Sequence, residues 1–109
     1  MTGTLQTVNG LVNEQDVDLI CPHEHLLIDM SHEVALPQNT EDRLVYNEKV
    51  NENNIKLVRH NPYVVRDNLI LDSVDLAVTE MKQLKKCGCN LLVDVTSIGL
   101  GRDVRRVRE

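Results

Sequence analysis

Apolar positions near the start of the chain predict a small β-hairpin. Asn9-Gly10 lies between two short segments that carry apolar residues, Leu5 to Val8 and Leu11-Val12. An Asn-Gly pair in this setting is a strong hairpin signal, because both central positions of the tight turn need a positive φ. We therefore predict a hairpin at residues 4–13.

A strand and a long irregular segment are predicted next. The nearly continuous apolar run from Val17 to Cys21 predicts a strand over residues 17–23 that is covered on both faces, as in parallel sheets. Pro22 has no backbone N–H to donate, so the strand should loosen or end there. Residues 30–68 are polar and irregular, so we predict a large loop at residues 26–72 over the end of a sheet, with one short helix within residues 52–59.

The clearest periodic pattern predicts a helix at residues 73–87, whose apolar residues recur at steps of three and four and form one stripe. The members of this stripe are Val74, Ala77, Val78, Met81 and Leu84. Asp72 or Ser73 can cap the start of this helix, and Gly88 suits the position just past its end. A second buried strand at 90–96 follows, and a glycine-bearing turn leads into a helix that starts within 102–109.

The order strand, helix, strand, helix predicts an α/β fold with a parallel sheet and a right-handed crossover. Two parallel strands with one and a half helices cannot cover each other on both faces, and the last residues carry no helix stop signal. We therefore expect this chain to be the beginning of a larger α/β domain. In isolation it should expose much apolar surface and be poorly soluble or partly disordered.

Composition and charge exclude several classes of partner. Lysine and arginine number 12 and aspartate and glutamate 17, a net charge of −5 that speaks against nucleic-acid binding. No apolar run approaches the ~20 residues of a membrane span, and the first ten residues do not resemble a signal peptide. The three cysteines are odd in number and fit reduced thiols, so we expect a cytoplasmic protein.

His23 and His25 are the candidate metal ligands. Residues i and i+2 of an extended strand point to the same side, so the two imidazoles should converge on one volume. Neutral imidazoles bind zinc and similar divalent ions, and the carboxyl ends of buried strands are where α/β barrels build their active sites. Two satisfied core histidines are the alternative. Asp94 and Thr96 alternate on the second strand and are candidate partners of such a site.

Other motifs are weaker candidates for a functional site. A single residue separates the two histidines, which excludes the helical His-Glu-x-x-His zinc motif. A structural zinc site made from Cys21, His23, Cys87 and Cys89 is conceivable, but the Cys-x-Cys spacing is too short for the usual zinc knuckle and buried thiols fit better. Gly99-Leu100-Gly101 is interpreted as a tight turn, and the arginines after it as a solvated helix face.

Six motifs, in this order along nearly the whole chain, resemble the N-terminal third of the phosphotriesterase family of amidohydrolases, and most closely its animal branch. They are Thr7-Val8-Asn9-Gly10, His23-Glu24-His25-Leu26-Leu27-Ile28-Asp29, Asn61-Pro62-Tyr63, Asp67-Asn68-Leu69, Val93-Asp94-Val95-Thr96 and Ile98-Gly99-Leu100-Gly101-Arg102-Asp103. The resemblance implies the first two βα units of a TIM (β/α)8 barrel. It also implies a centre of one or two divalent metals, usually zinc, with His23 and His25 as ligands.

The resemblance further implies a hydrolase that uses metal-activated water on an ester or amide bond of a small molecule, such as an N-acetyltaurine-like amide, a lactone or a phosphotriester. The other metal ligands of the family lie on later strands, beyond the end of this chain, so no catalytic residue is assigned and the 109 residues alone should be inactive. The alternatives are a truncated isoform that only binds, and a small structural-zinc module.

Overall fold

A computed structural model of the chain describes residues 3–109, which divide into two compact units. One unit holds the chain up to Leu27 together with Ser73–Glu109, and the other is Ile28–Asp72. The strands and helices in chain order are β1 (Thr4–Thr7), β2 (Gly10–Asn13), β3 (Ile20–Glu24), β4 (Ile28–Asp29), α1 (Thr40–Val45), α2 (Ile55–His60), β5 (Ile70–Leu71), α3 (Val74–Lys86), β6 (Leu91–Asp94) and α4 (Val104–Arg108). None of the helices in residues 3–109 has the length and hydrophobicity that crossing a bilayer requires.

The hairpin predicted at 4–13 is present as the antiparallel pair β1 and β2, but its turn differs. Thr7 pairs with Gly10, so Val8 and Asn9 occupy the turn. No non-glycine residue in the described chain has a positive φ; Gly10 alone carries it in this turn, at +115°. The Thr7 hydroxyl closes the turn by accepting from the Asn9 N–H (3.1 Å) and donating to the Gly10 carbonyl (2.9 Å). The prediction of a positive φ at Asn9 was therefore wrong.

Strands β3 and β6 are parallel neighbours, as the strand–helix–strand order predicts. The first strand was predicted at 17–23 and begins instead at Ile20. The reason is the Asn90 side chain, whose Oδ1 accepts from the Asp18 N–H (3.1 Å) and whose Nδ2 donates to the Asp16 carbonyl (2.8 Å). These side-chain bonds replace ladder bonds just before the strand. The second strand, predicted at 90–96, is likewise shorter.

Pro22 loosens β3 as expected, because the register of β3 against β6 shifts between Cys21 and Glu24. The described strands expose apolar surface, as expected for a strand pair without further partners. Ile20 is 45% exposed and Val93 is 42% exposed. Two strands and two helices provide too few partners to bury both faces of a sheet.

Helix α3 follows its predicted pattern closely. All five residues of the predicted apolar stripe are half-buried, while the other residues of α3 are exposed. Ser73 is the N-cap, with its hydroxyl accepting from the Leu76 N–H at 3.2 Å. At the other end, Gly88 N–H donates to the Lys85 carbonyl (3.0 Å) and Cys89 N–H to the Leu84 carbonyl (3.3 Å). These two bonds form a Schellman motif, which turns the chain toward β6.

The segment predicted as a loop at 26–72 contains short elements and a small core of its own, so that prediction was wrong over residues 28–72. Val58, Val64 and Val65 are buried together, and the half-buried residues packed against them are Val45, Val50 and Leu57. The expected helix within 52–59 is α2. Helices of six residues, such as α1 and α2, span fewer than two turns and leave little periodic signal.

Asparagines stabilise this second unit through backbone hydrogen bonds. Asn39 caps α1 by accepting from the Asp42 N–H at 2.7 Å. Asn54 is only 3% exposed, and its Nδ2 donates to the Lys49 carbonyl (2.9 Å) while its Oδ1 accepts from the Asn51 N–H (2.9 Å). The frequent asparagines of this segment, which suggested a loop, supply the partners that its backbone groups need.

The α3 end gives a stability test. Gly88 has a φ of +95°, and a Cβ built there meets no heavy atom within 4 Å, so a substitution acts through the backbone alone. Gly88→Ala should lower the free energy of unfolding by about 1–2 kcal/mol, because an L side chain strains the left-handed conformation. Gly88→Asn, the matched control, should lose less, since asparagine tolerates this region. Urea unfolding of the parent chain and the two variants measures these free energies. Equal stability of the alanine variant and the parent would contradict the Schellman assignment.

Candidate metal centre

The end of β3 brings the two histidines together. His23 is the fourth residue of β3 and His25 directly follows the strand. Their ring centroids lie 5.5 Å apart with the rings edge-on at 77°. His23 is exposed and His25 is half-buried. The extended backbone thus places both imidazoles close to each other, as their i, i+2 spacing predicts.

The buried hydroxyl of Thr96 contacts the His25 ring. Thr96, two residues past β6, is 3% exposed, and its Oγ1 lies 2.9 Å from His25 Nδ1 and 3.4 Å from the Leu27 carbonyl oxygen. A carbonyl oxygen can only accept, so a hydroxyl proton directed to Leu27 leaves Oγ1 to accept from Nδ1–H of His25. This arrangement favours the imidazole tautomer whose free lone pair is on Nε2, the form that ligates a metal ion.

Asp94, the last residue of β6, ties the two strand ends to each other. Its Oδ2 accepts from the Leu26 N–H (3.0 Å) and its Oδ1 from the Thr96 N–H (2.9 Å). Partial burial raises the pKa of Asp94, but the hydrogen bonds from Thr96 and Leu26, with a smaller contribution from His25, outweigh it and hold that pKa below its usual value. The carboxylate therefore stays ionised at neutral pH and fixes the backbone on either side of Thr96.

The described residues do not complete a metal site. Nowhere in residues 3–109 are three or more histidine, cysteine, aspartate or glutamate side chains placed to hold a metal ion. The structural zinc site considered from the sequence is therefore absent from this part of the chain: Cys87 is exposed, and only Cys21 and Cys89 have their sulfur atoms in contact. The two imidazoles are an incomplete donor set.

The glycine turn and the remaining histidines have structural surroundings. Gly101 ends a short 3-10 turn with a φ of +79°, as expected for a glycine at that position. Asp103 caps α4 by accepting from the Arg105 and Arg106 N–H groups, so its side chain takes the donors that an anion would need. His32 lies 3.9 Å from carboxylate oxygens of Asp29 and Glu33, and His60 ends α2; neither belongs to the site.

An apolar groove lies in the same unit. It has a volume of about 480 Å³ and is lined by residues of β1, α3 and β6, Asp94 among them, together with Val8, Leu26 and Val107. Neither His23 nor His25 is among its lining residues. The groove is therefore uncovered sheet and helix surface rather than a pocket around the imidazoles.

Nearly the whole of this chain matches part of known proteins. The sequence profile of the phosphotriesterase family matches residues 3–109. A phosphotriesterase-related protein of Nematostella vectensis is 29% identical over 99% of this chain and 32% of its own length. An N-acetyltaurine hydrolase of Tetraodon nigroviridis is 32% identical over 100% of this chain and 31% of its own. These comparisons confirm the resemblance seen in the motifs.

A solved structure shares the fold. The crystal structure of a resiniferatoxin-binding protein from Rhodobacter sphaeroides superimposes with a TM-score of 0.91 and 31% identity, over 97% of this chain and 30% of that one. This neighbour supports the α/β class predicted from the sequence. The chain spans about a third of the length of the curated relatives it matches.

Proposed function

Because the chain belongs to the phosphotriesterase family, we propose that it is the N-terminal part of a metal-dependent hydrolase in which His23 and His25 bind the metal. The observation that supports this most directly is the pair of imidazoles 5.5 Å apart at the end of β3, with His25 held by Thr96. In this proposal β3, α3, β6 and α4 are the first two βα units of a (β/α)8 barrel, and the site lies at the carboxyl ends of its strands.

His23 and His25 are chemically suited to be two of the ligands of a metal ion. Both side chains offer imidazole nitrogen, which zinc prefers, and the Thr96 hydroxyl leaves Nε2 of His25 available. When bound, one or two divalent ions, expected to be Zn²⁺, lower the pKa of a water molecule and polarise the bond to be cleaved. The part played by this chain is to orient the two imidazoles, and Asp94 maintains that orientation through the backbone N–H groups of Leu26 and Thr96.

The proposed reaction is hydrolysis of an ester or amide bond in a small molecule. Matching proteins are named N-acetyltaurine hydrolase, which makes an N-acetyltaurine-like amide the first substrate to test, before lactones and phosphotriesters. We propose a cytoplasmic location and no nucleic-acid or membrane partner, consistent with the net charge of −5. Since residues 3–109 hold no three-ligand cluster, we propose that the 109 residues alone do not catalyse.

Metal binding tests the two imidazoles. Zinc titrated into the 109-residue chain by calorimetry should show weak binding, and His23→Asn or His25→Asn should each reduce the affinity by at least about tenfold. His60→Asn is the matched control, because His60 lies at the end of α2 and should leave the affinity unchanged. Unchanged affinity in both site variants, or an equal loss in the control, would show that zinc binds elsewhere.

Hydrolysis tests the rest of the proposal. The 109 residues joined to the remaining two thirds of the Tetraodon nigroviridis relative should hydrolyse N-acetyltaurine when loaded with zinc, and His23→Asn in this chimera should abolish turnover. The 109-residue chain should release no taurine under the same conditions. Turnover by the short chain would contradict its assignment as an incomplete part. A folded, zinc-loaded and inactive chimera would favour the non-catalytic isoform instead.

A further inference from the structure

Two cysteines far apart in sequence have their sulfur atoms in contact. Cys21 lies on β3 and Cys89 in the bend between α3 and β6, 68 positions later, and their Sγ atoms are 3.3 Å apart. All three cysteines of the chain are free thiols. The third, Cys87, is exposed, whereas Cys89 is only 6% exposed and Cys21 is half-buried.

Independent backbone contacts fix each member of the pair. Cys89 is held by the Schellman motif, through its N–H on the Leu84 carbonyl at 3.3 Å, and its Sγ also lies 3.2 Å from the Leu91 carbonyl. Cys21 is held opposite Leu92 in the parallel β3–β6 ladder. The sulfur–sulfur contact is thus a consequence of the fold, because backbone contacts hold both residues independently of their thiols.

We propose that Cys21 and Cys89 are a reversible disulfide site, oxidised by low-molecular-weight disulfides such as glutathione disulfide. A disulfide bond is about 2.0 Å long, so the two sulfur atoms must approach by little more than 1 Å to form one. With no third ligand beside them in residues 3–109, the two thiols do not form a metal site. This proposal is independent of the hydrolase assignment.

The exchange balances in two steps. The more accessible thiolate, that of Cys21, attacks one sulfur of the small disulfide, forms a mixed disulfide and releases one small thiolate. The Cys89 thiolate then attacks the Cys21 sulfur, forms the intramolecular bond and displaces the second small thiolate. The protons of the two cysteines leave with the two small thiols. The protein loses two electrons and the small disulfide gains them, so no other oxidant is needed.

Oxidation would join β3 covalently to the segment that begins β6. This link lies two residues from His23 along β3, and it closes a loop across the whole second unit. A cross-link of this kind restricts the unfolded chain and so stabilises the folded one. In a reducing cytosol the pair stays as thiols, and the bond forms only when the small-disulfide pool becomes oxidising.

The unmodified chain is sufficient for the test. After incubation with excess glutathione disulfide, free thiols are blocked with N-ethylmaleimide and the intact mass and tryptic peptides are measured. We expect chains that have lost two hydrogen atoms, with Cys21 linked to Cys89 and Cys87 carrying either maleimide or glutathione. Trypsin leaves Cys87 and Cys89 on one peptide, so the Cys87→Ser variant identifies the partner and should keep the link. Cys21→Ser should abolish it.

Unfolding the chain provides the control for geometry. In concentrated urea the same oxidant should give mainly mixed disulfides with glutathione, because the long loop between Cys21 and Cys89 is costly to close without the fold. The proposal is overturned if the folded chain yields only mixed disulfides, a Cys87-containing bridge or disulfide-linked dimers. It is also overturned if the folded and urea-unfolded chains give the same products.

Discussion

The candidate site depends on the contact between the Thr96 hydroxyl and the His25 ring. The hydroxyl lies between the His25 ring and the Leu27 carbonyl, with Oγ1 2.9 Å from Nδ1 and 3.4 Å from the carbonyl oxygen. Because Thr96 is almost fully buried, water cannot replace either bond at low cost. Its backbone is in turn held by the ionised carboxylate of Asp94. The position of one imidazole is therefore determined by a residue that lies far from it in sequence.

The contact between Thr96 and His25 requires β6 to lie parallel to β3. Helix α3 comes directly before β6 in the chain, so the ends of this helix matter for the site. The Ser73 cap and the Gly88 turn define where this helix begins and ends, and the turn sets the direction of the chain that follows. The same turn places Cys89 against Cys21. Local capping chemistry thus positions both the histidine partner at one end of the strand pair and the thiol pair near the other.

Sequence patterns predicted the local features and missed those set by distant contacts. The α3 stripe and the His23–His25 spacing depend on helix and strand periodicity, so both could be predicted from the residues themselves. Thr96 was a candidate partner by alternation, but its contact with His25 joins residues 71 positions apart, and no local pattern predicts such a pairing. The Cys21–Cys89 contact likewise joins residues 68 positions apart.

Thr96 is expected to select the tautomer of the neutral His25 ring, which a nitrogen–proton correlation spectrum of the metal-free chain measures directly. We expect His25 to carry its proton on Nδ1 and to leave Nε2 unprotonated. Thr96→Val, which keeps the shape and removes the hydroxyl, should abolish this preference while the His60 signals stay unchanged. A proton on Nε2 of His25 in the parent chain, or identical His25 signals in the parent and the variant, would contradict it.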